Sequence, residues 1–142
     1  MTDIAFHFNV PDRLAYVCRL LRKAATGGIK VVVTGFQEDL NQLDADLWAL
    51  SPVDFVTHCG SDAPASVLAQ SSVVLTEAVD FVEMRTVLVN LWPSIPAGFD
   101  QFERVIEVVS QEETDRQQAR GRWKSYAQAG FHLVRHDLKA KK

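Results

Sequence analysis

Arg116, Arg120 and Lys124 recur every four residues in the stretch QEETDRQQARGRWKSYAQAG, Gln111–Gly130. On a helix turning about 100° per residue they share one face, and Trp123 falls about 20° from Arg116 around the axis. Guanidinium groups are planar, two-pronged donors to carboxylates. An indole is a flat apolar wall whose N–H can stay wet. Together they suit a short acidic peptide carrying an apolar anchor. Most basic stripes, however, are solvated faces and most helix tryptophans lie in the core, and spacing alone favours that commoner reading.

Other reactive residue types are present without a pattern that would make them a site. His132 and His136 have a metal-like spacing and His58 adjoins Cys59, but zinc needs such groups to converge with tetrahedral geometry, which nothing local enforces. Glu77, Asp80 and Glu83 form an acidic cluster of the kind usually found on solvated surface. GxSxG, HExxH and a cysteine nucleophile with an evident histidine partner are all missing. No catalytic residue, cofactor or metal is therefore assigned.

The segment bearing the basic residues reads as one helix over Gln111–Gly130. Ser110 is a suitable N-cap, and Glu113 three residues later completes a capping-box pattern. Glu112, Glu113 and Asp115 place negative charge in the first turn, where the helix dipole favours it. Gly130 can take the left-handed conformation that closes such helices.

The rest of the chain must position that helix. Ile4–Asn9 reads as a first strand, and Pro11–Asp12 opens a helix with Leu14, Val17, Cys18, Leu21 and Ala25 on its buried face. Cys18 is thus a small core residue. Gly27–Gly28 ends the helix. IKVVVT, Ile29–Thr34, is a strand buried on both sides. After a turn at Gly35 comes a second helix with Leu40, Leu43, Leu47 and Leu50 inward, ended by Pro52. Further strands are expected at Asp54–His58, Val67–Leu75, Thr86–Leu91, Arg104–Val109 and Phe131–Val134, with a helical turn at Phe99–Phe102. The β-α-β-α opening predicts a single α/β domain over residues 1–137, a mostly parallel sheet flanked by helices. Its shape is nucleotide-binding-like, but neither GxGxxG nor GxxxxGK[ST] is present. Residues 138–142, LKAKK, form a basic tail expected to be disordered.

With 142 residues the chain can bury a proper core, and 47% apolar against 23% charged residues is the balance of an ordinary globule. A net charge of −3 excludes a general nucleic-acid coat. The charge is unevenly spread. From Val31 to Glu103 eleven acidic residues face one basic residue, Arg85; from Arg116 to Lys142 eight basic residues face one acidic residue, Asp137. That asymmetry points to distinct surfaces for distinct partners. The start, MTDIAFHFNV, lacks the features of a signal peptide. The longest uncharged stretches have 14 residues, against about 20 needed to cross a membrane. With only Cys18 and Cys59 and no framework spacing, a cytoplasmic location is expected.

Several stretches, taken in order, carry a resemblance. FHFNVPDRLAYVCRLLRKAATGGIKVVV, LDADLWALSPVDFVTHC, TVLVNLWPSIPAGFDQFERVIEVV and ARGRWKSYAQAGF follow one another as in the chi subunit of bacterial DNA polymerase III. The resemblance covers the chain from Phe6 to about Leu138, and the joint order of LW…FV.H, VLVNL, FERVIEVV and AR.RW..Y...G makes it specific.

The resemblance implies a non-catalytic accessory subunit of a DNA-directed DNA polymerase, a nucleotidyltransferase complex. One surface would bind the psi subunit, which connects to the clamp loader. Another would bind the acidic C-terminal tail of single-stranded-DNA-binding protein, linking the replicase to coated lagging-strand template and touching DNA only indirectly. Tail binding is carried onto Arg116, Arg120, Trp123 and Lys124, with Arg120 dominant. Trp48 also matches a family position near that pocket, although it equally reads as a helix residue packed beside Leu47. The family's FxPH element maps to Phe55–His58, which makes Phe55 the psi-binding candidate, or else a cap on the sheet core.

Three residues depart from the family pattern. Thr57 replaces its proline, Gly121 stands where a helix former is usual, and His7 replaces an aromatic. Two other readings compete: a nucleotide- or small-molecule-binding α/β enzyme, and a direct single-strand binder. The first lacks a phosphate loop, and the second lacks a stacking platform of several aromatics.

Overall fold

The computed structural model describes residues 2–49, 58–60, 72–77 and 86–138. The chain runs β1 (Asp3–Val10), α1 (Arg13–Thr26), β2 (Val31–Thr34), α2 (Gln37–Trp48), β3 (His58–Gly60), β4 (Val73–Thr76), β5 (Val87–Asn90), a 3-10 turn (Phe99–Gln101), β6 (Arg104–Ser110), α3 (Glu113–Gln128) and β7 (His132–Asp137). The strands form one sheet in the order β3-β4-β2-β5-β6-β1-β7, and every pairing is parallel. The fold is the single α/β domain expected, with its sheet parallel throughout the described residues.

Parallel strands covered on both faces need apolar residues at successive positions, because alternate side chains enter opposite layers. The valine-rich runs meet this need. Val31 and Val33 point to the layer of α1 and α2, where Val17, Leu21, Leu40, Leu43 and Leu47 wait. Val32 points the other way, into the layer holding Phe102, Ala119 and Tyr126. Val73, Val74 and Leu75 alternate likewise. So α1 and α2 carry the chain toward the β3 edge on one face, and α3 carries it toward the β7 edge on the other, as same-handed crossovers require.

In β1, Ile4 and Phe6 face α3, yet Val10 lies in the α1–α2 core despite its even spacing from them. The register shifts between His7 and Val10, and Asn9 takes φ 62°. This bulge turns the strand end over and feeds it into α1, whose N-cap is Asp12, accepting from the Ala15 N–H at 3.1 Å. Gly35 ends β2 where a Cβ would meet the Leu91 Cβ at 2.8 Å, so a side chain there would push β2 from the chain leaving β5. His7 donates to or accepts from the Tyr16 hydroxyl through Nδ1 and lies against the His136 ring, so the departure at His7 is absorbed by packing on α1 and β7.

Several boundaries differ from the sequence reading. Ile29 is exposed and precedes the strand, which begins at Val31. Leu138, assigned to the tail, packs against the α1–α2 core. Leu50, Pro52, Phe55 and Thr57 fall outside the described residues, as do most of Asp54–His58 and the first part of Val67–Leu75.

Candidate peptide-binding groove

Strand β6 runs through Ser110, which pairs with Val10, so the helix cannot begin at Gln111. It begins at Glu113, with Glu112 in the N-cap position making no side-chain capping bond. Ser110 still serves the helix start, its Oγ accepting from the Glu112 N–H at 3.3 Å. Asp115, not Glu113, reaches back and accepts from the Ser110 N–H at 2.7 Å. The expected capping box is therefore displaced by strand pairing. The C-terminus is as expected. Gly130 has φ 87°, its N–H donates to the Ala127 carbonyl, and the Phe131 N–H donates to Tyr126, closing the helix with a six-to-one turn. The Tyr126 and Phe131 rings meet edge-on at 6.3 Å across that turn.

On the outer side of α3, Arg116, Ala119, Arg120 and Trp123 form one wall of an open groove of about 330 Å³. Phe6 and Phe8 of β1, Val109 of β6 and Arg135 of β7 complete it. Trp123 serves both readings of its position: one edge packs on Phe6 at 5.1 Å and 64°, while the ring also lines the groove. The floor is apolar and the rims are cationic. Glu113 contacts both helix arginines, at 3.8 Å to Arg116 and 3.4 Å to Arg120.

Lys124 does not line the groove. It lies about 80° from Arg116 around the axis, turned away from the wall that Trp123 and Ala119 define. Trp48 is 64% exposed at the end of α2, in the layer on the opposite face of the sheet, so the expectation that it sits near this pocket is not met. Phe55 lies outside the described residues. Arg135 is the groove residue that sequence spacing missed. Strand alternation would have paired it with the Leu133 face, but its place beside Phe6 depends on the β1–β7 pairing.

The inner side of α3 carries a buried polar network that was also not anticipated. Arg122 is 5% exposed and donates from Nε to Glu107 Oε1 at 3.0 Å. The Tyr126 hydroxyl and the Asn90 amide donate to Glu107 Oε2 at 2.7 and 2.9 Å. Arg122 Nη1 also donates to the Pro93 carbonyl, and Asn90 to that of Ser94, so the network ties α3 to the loop after β5. Burial pushes the Glu107 carboxyl up, against the opposing pull of Arg122, Asn90 and Tyr126. Burial, then the Glu107 charge, pushes the Tyr126 phenol up.

The crevice where a nucleotide would sit in such a fold lies at the carboxyl ends of β1 and β6, whose continuations leave to opposite faces. Here Arg13 donates to the Leu91 carbonyl at 2.9 Å and faces Asp115 at 3.8 Å. Gln111 donates to the Asn9 carbonyl, and Asn9 to Asp137. The chain's own polar side chains cross the space. His132 and His136 sit about 13 Å apart along β7, four strand residues at about 3.3 Å each, and no group of three or more metal-ligating side chains occurs among the described residues. Cys18 packs against the core, and burial, seconded by Asp46, pushes its thiol up, away from reactive thiolate. No helix among the described residues is long and apolar enough to cross a membrane.

The family described as DNA polymerase III chi subunit, HolC, matches residues 1–134. A curated relative, DNA polymerase III subunit chi of Pseudomonas aeruginosa, is 31% identical over 127 residues, covering 89% of this chain and 87% of its own length. With the family's match spanning nearly the whole α/β domain, and a relative matching at that level over most of its length, the chain belongs to the DNA polymerase III chi subunit family.

Proposed function

We propose that this chi subunit acts in DNA replication as a non-catalytic adaptor of DNA polymerase III. Its α3 groove binds the acidic C-terminal tail of single-stranded-DNA-binding protein, and a separate surface that includes Phe55 binds psi and, through it, the clamp loader. The adaptor works in the cytoplasm. The observation that carries the tail reading is the apolar floor of Phe6, Val109, Ala119 and Trp123 between arginine rims, in a chain that is otherwise net acidic. A tail of aspartates ending in an apolar residue and a carboxylate matches it group for group. The filled crevice at the β1–β6 ends counts against the nucleotide-binding enzyme. Of the groove's three aromatics Phe6 is buried in the floor and Phe8 lies under Arg135, which leaves Trp123, too few for base stacking along a strand.

A titration with the tail peptide at two salt concentrations tests this reading. Binding is expected at roughly micromolar strength, about −8 kcal/mol, weakening as salt rises. Arg120→Ala should remove most of it without moving the thermal midpoint. Phe55→Ala should spare tail binding and weaken psi binding. Absence of tail binding by folded wild-type protein would sink the adaptor reading, and loss of both partners in Phe55→Ala would show the two surfaces misassigned.

A further inference from the structure

We propose that Arg135 holds the terminal carboxylate of the bound peptide, while Arg116 and Arg120 take the acidic side chains that precede it. The inference rests on the tail-binding reading of the groove and adds the direction in which the ligand lies.

Three observations carry it. Arg135 stands on the opposite rim from the helix arginines: β1 and β7 pair with Phe6 opposite Arg135, which puts the arginine on the α3 side of the sheet, in the groove wall. Its guanidinium is held over the Phe8 ring, 5.2 Å from the centroid, a contact that orients the group and leaves its donors free for a carboxylate. Finally, it has no carboxylate partner among the described residues, whereas Arg116 and Arg120 both share Glu113. The groove therefore holds two cations already partly neutralised and one that is not.

The chemistry of a chain end selects between them. An internal apolar residue seated on the floor would offer the rims only neutral amides. A C-terminal apolar residue carries its carboxylate on the same Cα as the seated side chain, so an anion must lie at the floor's edge. That anion gains most beside the cation with no internal competitor. The aspartates upstream then run along α3, where they displace Glu113 from Arg116 and Arg120. Lys124, outside the groove, takes no part in fixing this direction.

The test is a cycle with the tail peptide as free acid and as C-terminal amide, titrated into wild type, Arg135→Ala and Arg120→Ala. Amidation is expected to weaken wild-type binding about tenfold, the loss of one charge-assisted pair. Arg135→Ala should lose about as much toward the free acid, and amidation should cost it almost nothing further. In Arg120→Ala amidation should keep its full cost. Arg135→Lys should recover part of the affinity, and an unchanged thermal midpoint for the exposed Arg135 excludes a folding effect. If amidation costs Arg135→Ala as much as wild type, the assignment is wrong; if the cost vanishes in Arg120→Ala instead, the peptide runs the other way. If the free acid does not bind wild type, the tail reading itself falls, which is a separate result.

Discussion

Glu113 occupies the site's own cations, so Glu113→Gln should tighten the binding of an acidic peptide. At 3.4 Å from Arg120 its bare Coulomb attraction is about 1 kcal/mol in water and about 5 kcal/mol at an effective dielectric constant of 20. Both side chains are 61% exposed, so solvent screening and side-chain entropy reduce the pair to the 0.2–1 kcal/mol typical of surface ion pairs, roughly. The Arg116 contact is longer, at 3.8 Å, and shares the same carboxylate. Releasing both arginines should return about 0.5–1.4 kcal/mol to the ligand, a gain of about two- to tenfold in affinity. The same change removes a negative charge from the first turn of α3 and should cost about 0.3–1 kcal/mol of stability. Calorimetric titration of the tail peptide at low and raised salt, with thermal unfolding in parallel, reads both effects. The affinity gain should shrink as salt rises. Weaker binding by Glu113→Gln would refute the competition argument and make Glu113 a residue that aligns the arginines.

Arg122→Met leaves the buried Glu107 carboxyl without the guanidinium it pairs with, and should cost about 3–5 kcal/mol, read as a fall in the denaturant midpoint. Adding Glu107→Gln should recover part of that loss, since a glutamine oxygen can still accept from Tyr126 and Asn90; a single-variant loss below about 1 kcal/mol would show that the pair is not what anchors α3. Gly121→Ala should stabilise the helix by about 1 kcal/mol, because a Cβ there meets nothing within 4 Å and the residue is exposed. Its peptide affinity should not change, and a lowered thermal midpoint would mean that glycine is required for a reason the helix geometry does not contain.

How far the sequence can be read depends on the range of the interaction that decides each feature. Helix faces and strand alternation are local, so Val17, Leu21, Leu40, Leu43 and Leu47 were legible as core from spacing alone. The α3 cluster of Arg116, Arg120 and Trp123 was legible for the same reason. The start of α3 was not, because Ser110 is claimed by pairing with Val10, a contact spanning most of the chain. Arg135 was hidden for a similar cause: no local pattern says that β7 lies beside β1. Arg122 is an instructive intermediate case. By residue type it belongs to the basic run, yet it falls about 240° from Arg116 on the helix wheel, and that phase alone separates it from the groove wall. What it pairs with could not be foreseen, since Glu107 lies on a strand that otherwise alternates apolar residues.

The two sides of α3 are coupled in what they achieve. A short peptide has little binding energy to spend on ordering its receptor, because each side chain immobilised on binding costs about 0.5–1.5 kcal/mol. A groove that takes such a ligand must exist before the ligand arrives. In this fold the inner side of the helix is locked by the Arg122–Glu107–Tyr126 network and by the closing turn at Gly130. Trp123 is held by Phe6, and Arg135 by Phe8. Only the ends of Arg116 and Arg120 remain to be rearranged, as they exchange Glu113 for the ligand. The buried ion pair, costly as a source of stability, is then explained as the means by which a mostly polar helix with just Ala119, Arg122 and Tyr126 buried is fixed at one rotation against the sheet. Without it, the rotation of the basic wall against its floor would rest on Ala119, the Tyr126 ring and the Trp123–Phe6 contact alone.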